Sequence, residues 1–351
     1  MTTAIPAVIA LDAAPATRAE TASAPVALPR NWYMLAESRE VSRGKLVTRK
    51  IADREIALFR TQAGVLAAFD GHCAHMGCHL RHAAVIGENL RCALHFRHID
   101  KQGRFLRPDG TPSPDLRQPT YPVAERHGMI FVHVGGEPKH DLPMPDIVSA
   151  EEFMARPAGE FRTDTPWYAL IANGFDMEHL LSVHQRELKE EAQVSYPDTW
   201  SYRIAYRTAV TGTSLADRVM KRMSRNDIRA SMTVISGTTM LVQSHAGPSP
   251  SIFILSMCPQ EGGETLVRGI VGLKAGRSRI LDGLKLRLAQ WLFKSFLARD
   301  YGIFEGLQWH PPAHRHSSGD RFTHQLYDYF MQIEGAGPAP SEGFRTQGIG
   351  S

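Results

Sequence analysis

The chain has 351 residues, 43% of them hydrophobic and 22% charged, with a formal net charge of +4. That size and balance suit a globular protein with room for two ordinary domains or one large one. The basic residues are scattered rather than gathered into a block, which argues against nucleic-acid binding. Four cysteines are too few for a disulfide scaffold, and no run of 18 or more apolar residues marks a membrane span.

Residues 1–27 are rich in Ala, Thr and Pro, lack a basic segment ahead of an apolar stretch, and read as a disordered tail rather than a secretory signal. From Trp32 the texture changes. "KLVTRKI", "REIALFRT", "GVLAAFDG", "NLRCAL" and "GMIFVHVG" carry β-branched and aromatic residues between turn formers, which predicts a small all-β domain over residues 28–140. "GGEPKHDLPMPD" reads as a linker. Beyond it, "SMTVISGTTMLVQSH", "SIFILSMCP" and "ETLVRGIVGLKA" predict antiparallel strands. The stretch beginning "SRILDGLKLRLAQWLFKSFLARDYGIF" has apolar residues at helical spacing and predicts one long helix. The second domain is thus an antiparallel sheet with helices, an α+β arrangement over residues 141–334, and residues 335–351 read as a flexible tail.

Three of the four cysteines and five of the sixteen histidines fall between residues 73 and 98, in "CAHMGCHLRHAAVIGENLRCALHFRH". Within it, Cys73, His75, Cys92 and His95 form C-x-H, sixteen residues, then C-x-x-H. Each pair offers one thiolate and one imidazole, a donor set that suits a single tetrahedral zinc or a [2Fe–2S] cluster with two thiolates on one iron and two imidazoles on the other. Zinc fingers usually group cysteines first and histidines second, whereas here each segment supplies one of each, which favours the cluster. Gly77 and Gly103 stand where tight turns would be needed. His79, His82 and His98 read as loop or surface residues outside the donor set.

A second constellation lies at residues 171–185, "IANGFDMEHLLSVHQ", with the spacing N-x2-D-x2-H-x4-H. Asn173, Asp176 and His179 share one side of a helix. His184, five residues past His179, falls roughly 140° around an ideal helix, so both histidines can reach one metal only if the helix is distorted or broken between them.

The first segment resembles the Rieske iron–sulfur motif, and the second resembles the catalytic domain of Rieske non-haem iron oxygenases. Together the likeness spans residues 30 to 332. Within that family the chain is most similar to the aminopyrrolnitrin oxygenase and ketosteroid hydroxylase-like monooxygenases. The resemblance implies a helix-grip-like second domain and a mononuclear Fe(II) held by His179, His184 and a carboxylate. "FLARDYGIFEGLQWH" offers Asp300 and Glu305 for that carboxylate, and its context favours Asp300. It also implies that Asp176 bridges the two centres in a head-to-tail trimer, bonding His179 in its own subunit and the neighbour's His95, with Asn173 a further neighbour of the active site. Cys78 sits where respiratory relatives have a disulfide cysteine, but Leu94 occupies the partner position, so Cys78 is expected to be a free buried thiol. "CALHFRHID" also lacks the aromatic–Gly pair common around the last cluster histidine in this family.

The expected reaction is oxidation of an apolar aromatic or polycyclic small molecule by O2 and two electrons, by mono-oxygenation or N-oxygenation, with desaturation or demethylation as family alternatives. No G-x-G-x-x-G segment marks a flavin or nicotinamide domain, so a separate reductase or ferredoxin would supply the electrons. The expected setting is cytoplasmic. The long helix carries Lys285, Arg287, Lys294 and Arg299, which read either as a solvated side or as a docking face for an acidic ferredoxin or a membrane surface. Two rivals remain at this level: a Rieske-type electron carrier with an inert second domain, and a zinc-dependent binding module.

Overall fold

The computed structural model describes residues 28–246, 250–307 and 321–333, so both predicted tails lie outside the described residues. The first part of the chain forms three small antiparallel sheets. Asn31–Glu37 pairs with Met129–Val134, which pairs with Val123–Arg126. Leu46–Ile51, Arg54–Arg60 and Leu66–Asp70 make a meander, and five short strands from Ala84–Ile86 to Pro112–Arg117 follow in sequence order. "NLRCAL" is strand only over Asn89–Arg91; the chain then leaves the sheet at Cys92 and rejoins it at His98–Asp100. The interruption places a metal-donor loop at the sheet's end.

The second part is one eight-stranded antiparallel sheet. Its path runs Phe153–Thr163, Thr265–Lys274, Pro250–Pro259, Thr239–His245, Ile228–Ile235, Ser201–Val210 and Arg186–Leu188, with Gln193–Ser195 also pairing to Ser201–Val210. Five helices accompany the strands among the described residues: α1 (Trp167–Gly174), α2 (Met177–Ser182), α3 (Leu215–Ser224), α4 (Arg279–Phe304) and α5 (Arg321–Gln332). The long helix expected from periodicity is α4, with Ser278 capping its N-terminus by accepting from the Leu281 amide. The sheet and its helices match the α+β expectation, and residues 135–152 between the two parts hold no helix or strand.

The two parts share buried surface. Tyr33, Leu35 and Val132 of the first pack with Cys258 and Leu266 of the second, and Trp32, Met34 and Phe131 pack with Leu241, Ile252 and Ile270. Asn31, fully buried, donates to the Ile235 carbonyl at 3.0 Å and to Thr238 Oγ1 at 2.9 Å. A polar anchor with its partners satisfied fixes register between layers that apolar packing alone would leave free to slide.

Candidate metal centres

Cys73 lies just past the strand Leu66–Asp70, and Cys92 lies in the turn between Asn89–Arg91 and His98–Asp100. Two tight loops bring them together. The Gly77 amide donates to the Cys73 carbonyl at 2.8 Å and the Cys73 amide to the Cys78 carbonyl at 2.8 Å, with Gly77 at φ 73°. In the other loop the Cys92 amide donates to the Arg97 carbonyl at 3.0 Å. Gly103 (φ 80°) is pressed against the segment just past the strand Pro112–Arg117, where a Cβ would come 2.4 Å from the Gln118 carbonyl.

Both thiols are buried and within hydrogen-bonding contact of each other, while the His75 and His95 rings stand edge to face at 4.7 Å, His95 exposed. Burial pushes the Cys73 thiol up to about 11, with adjacent Cys92 adding to the rise against a backbone hydrogen bond at His75. A buried thiol pair beside two adjacent imidazoles is a poor arrangement for free cysteines. It fits a cationic iron–sulfur group that takes up the thiolate charge, two sulfurs inside and two nitrogens outside.

Cys78 is free, as expected, but half-buried rather than buried, packed against the buried cluster around Cys73, Leu80 and Cys92. Its Sγ contacts Cys92, and burial raises its pKa. Cys78→Ser is expected to leave the visible absorbance of the cluster unchanged; a bleached protein would make Cys78 necessary to it. His82 is exposed and His98 half-buried in its strand. His79 is tied inward, pairing with Glu55 and accepting from the Arg81 amide at 3.0 Å. A residue that spacing did not flag, Gln118, holds the first loop: buried, it donates to the carbonyls of Asp70 (3.1 Å) and His72 (2.8 Å) and accepts from the Ala74 amide (2.8 Å).

The second centre is built where α2 stops. Asp176 is its N-cap, with Oδ1 accepting from the His179 amide at 2.9 Å. The helix ends at Ser182, and His184 lies past its C-cap, Val183, with its amide 3.4 Å from the His179 carbonyl five residues back. This widened, broken turn removes the 140° offset. His179 Nε2 and His184 Nε2 come within 3.2 Å of each other, and Asp300 Oδ1 from α4 lies 2.9 Å from the first and 3.2 Å from the second. A metal with bonds of about 2.1 Å at right angles spaces its neighbouring donors about 3.0 Å apart, so the three atoms outline one triangular face of an octahedral site.

The electrostatics agree with that donor set. Burial lowers the His184 pKa, partly opposed by Asp300, which favours the neutral imidazole a metal requires. Burial opposes ionisation of Asp300, but its hydrogen bonds to His179 and His184 outweigh this and hold its pKa below the ordinary carboxylate value. Phe296 stacks on the His184 ring at 3.6 Å, within 5° of parallel, and fixes its orientation. Glu305, the other acid considered, is the exposed C-cap residue of α4 on the cavity rim, away from the triad of donors. Asn173 lines the cavity from α1. Asp176 does so too, but its bond to His179 goes to the backbone amide, so it sets the start of α2.

Sequence reasoning missed what holds His184 outside a helix. Arg186 and Arg299 donate to the His184 carbonyl at 2.9 and 2.7 Å, and both bind Asp217, which is 1% exposed. Arg299, expected on a solvated or docking side of α4, belongs to this network instead. No local motif announces it, since its members come from a strand, α3 and α4.

The triad faces a cavity of about 700 Å3. Its walls are largely apolar, including Met232, Met240, Val242 and Leu255 from the sheet and Leu292 and Phe293 from α4. In one chain, a cysteine/histidine donor set is thus followed by a His/His/Asp face on an antiparallel sheet. Residues 31–122 match the Rieske [2Fe-2S] domain family. The chain is a relative of the oxygenase component of chloroacetanilide N-alkylformylase from Rhizorhabdus wittichii (33% identical over 183 residues, 49% of this chain and 51% of that one). It is also related to aminopyrrolnitrin oxygenase from Pseudomonas fluorescens (29% over 171 residues, 45% and 46%). The matches thus span about half the length of these relatives. Its fold is that of dicamba monooxygenase bound to dicamba, with a TM-score of 0.61 at 19% identity over 87% of this chain and 97% of that one.

Proposed function

We propose that the protein is the terminal oxygenase of a multicomponent system, acting on an apolar aromatic or polycyclic small molecule by mono-oxygenation or N-oxygenation. The observation that carries this reading is the pairing, in one chain, of the cluster donor set with a His/His/Asp face that opens on a roomy apolar cavity. When bound, a Rieske cluster supplies single electrons and a mononuclear Fe(II) with open positions supplies oxygen activation.

The chain's own residues do the rest. His179, His184 and Asp300 leave one side of the site free towards the cavity. Phe296, Arg186 and Arg299 keep His184 in place without a helix to support it. The methionines and aliphatic residues of the sheet exclude water and accept apolar surface, with thioethers that adapt to irregular shapes. Asp176 and Asn173 are the polar groups of the α1–α2 side, and we assign them positioning roles there. A cholesterol 7-desaturase from Bombyx mori (24% identical) and the oxygenase component of dicamba O-demethylase from Stenotrophomonas maltophilia (27%) are also similar to this chain, so the same site with this cavity also suits those outcomes.

Electrons would come from a separate reductase or ferredoxin. The exposed His95, flanked by exposed Leu94 and Phe96, suits contact with another protein surface, and we propose a cytoplasmic head-to-tail homotrimer in which that edge meets a neighbour's α1–α2 side. Oxygen uptake with a surrogate ferredoxin, ferredoxin reductase and NADH tests the activity. The expected result is uptake stimulated by apolar aromatic or steroidal compounds and matched by oxygenated product. A cluster that is reduced and reoxidised without product formation from any of them would favour the electron-carrier alternative.

A further inference from the structure

Helices α3 and α4 flank the mouth of the cavity, and Met223 and Lys285 are exposed while also lining it. Large apolar side chains stand bare on both. On α4, Ile280 is 79% exposed, and Leu281, Leu284 and Trp291 are exposed as well. On α3, Leu215 is 62% exposed and Met223, about two turns further on, is exposed as well.

The charges around them are of one sign. Residues 214–225 carry Arg218, Lys221, Arg222 and Arg225, residues 277–294 carry five more basic residues, and all nine are exposed. The two acids in these segments, Asp217 and Asp282, are both buried. The two segments therefore present nine exposed cations and no exposed carboxylate, in a chain whose formal net charge is only +4. A merely solvated face would account for the cations but not for bare isoleucine, leucines and tryptophan among them.

We propose that this α3–α4 face seats on an anionic phospholipid surface, with Ile280, Leu281, Leu284 and Trp291 entering the acyl boundary and the cations meeting lipid phosphates. Aliphatic and indole side chains bordered by Lys and Arg are the makeup of helices that lie in a membrane interface. Among the described residues no helix is long and apolar enough to cross a membrane, so the contact is interfacial. The position also favours lipid over an acidic electron-transfer protein. An electron donor needs the edge of the cluster at His75 and His95, whereas this face surrounds the cavity that receives the organic substrate. An apolar substrate dissolved in lipid would then enter without crossing water. That last step rests on the oxygenase reading, but lipid binding does not, and the two fail separately because the test needs no turnover.

The test is co-sedimentation of the full-length holoprotein with vesicles of phosphatidylcholine alone or mixed with phosphatidylglycerol. Binding is expected to be at least about tenfold stronger with phosphatidylglycerol and to weaken with salt. Ile280→Glu with Leu284→Glu should reduce it by at least about tenfold while the cluster absorbance stays intact, showing that the fold survives. Arg279→Glu with Arg287→Glu should abolish the preference for phosphatidylglycerol. Failure to bind either vesicle, equal binding to both, or full binding by the Ile280→Glu/Leu284→Glu protein would overturn the proposal. So would loss of acidic-ferredoxin binding in that variant when the wild type does not bind vesicles, since the face would then be a protein-docking site.

Discussion

Asp300→Ala is expected to yield a protein that keeps its cluster but loses the mononuclear iron and all product formation. Asp300 supplies the one anionic donor among the three, 5% exposed and within 2.9 and 3.2 Å of the two imidazole nitrogens. Changing a residue that only orients a metal ligand commonly costs ten- to a hundredfold in metal affinity, so removing the ligand itself should cost more than about a hundredfold. The fold should tolerate the change, because the carboxylate bonds to the two histidines of the site itself. Iron analysis alongside the absorbance of the cluster measures both halves. Glu305→Ala, at the rim, should retain the iron. If Asp300→Ala retained it and Glu305→Ala did not, the ligand assignment would be reversed.

The second large effect is expected at Asp217. Burial resists its charge, but the Ser214 hydroxyl and the guanidiniums of Arg186 and Arg299 more than compensate and hold its pKa at about 2. Asp217→Ala leaves two arginines partly buried without their counter-charge, and breaking such a pair costs about 3–5 kcal/mol. For a chain of this size that corresponds to a fall in Tm of roughly 4–7 °C. The variant should also hold iron less tightly, because the arginines that fix the His184 carbonyl lose their own anchor. Asp217→Asn, which keeps the shape and some of the hydrogen bonds, should show the iron defect with a smaller loss of stability. The pH dependence follows from the depressed pKa. Asp217 ionises at about 2 in the folded chain and near 3.8 when unfolded. Its contribution, about 2 kcal/mol, is present in full above about pH 4 and is lost as the pH falls towards 2. A wild-type acid-unfolding curve that superimposed on that of Asp217→Asn would contradict this assignment.

The strands of the first part, the long helix and the Cys/His pairs of the first constellation were legible from residue type and spacing, because periodicity and donor identity are local properties; the second histidine pair took its meaning mostly from resemblance. The offset of His184 was legible as well: a five-residue step cannot stay on one helix face, and the chain does leave α2 at Val183. The devices that make the site work come from afar. Gln118 reaches back to the loop of Cys73 from just past a strand more than forty residues on, and Asp217 joins Arg186 and Arg299 across three elements. Neither leaves a pattern in a short window. Arg299 shows the limit from the other side, since its helical position read as solvated or docking surface while the neighbouring Asp217 draws it inward. Asp176, expected from resemblance to bond His179 and bridge two centres, is the N-cap of α2, and its hydrogen bond goes to the backbone amide of His179.

The central claim is that one chain holds two distinct iron centres, and metal and acid-labile sulfide analysis combined with EPR tests it most directly. A [2Fe–2S] cluster with one further iron calls for three irons and two sulfides per chain, a Rieske signal on reduction, and selective loss of the third iron in Asp300→Ala. Zinc without sulfide would contradict both centres. Two irons and two sulfides, unchanged after reconstitution with Fe(II), would leave an electron carrier and remove the oxygenase.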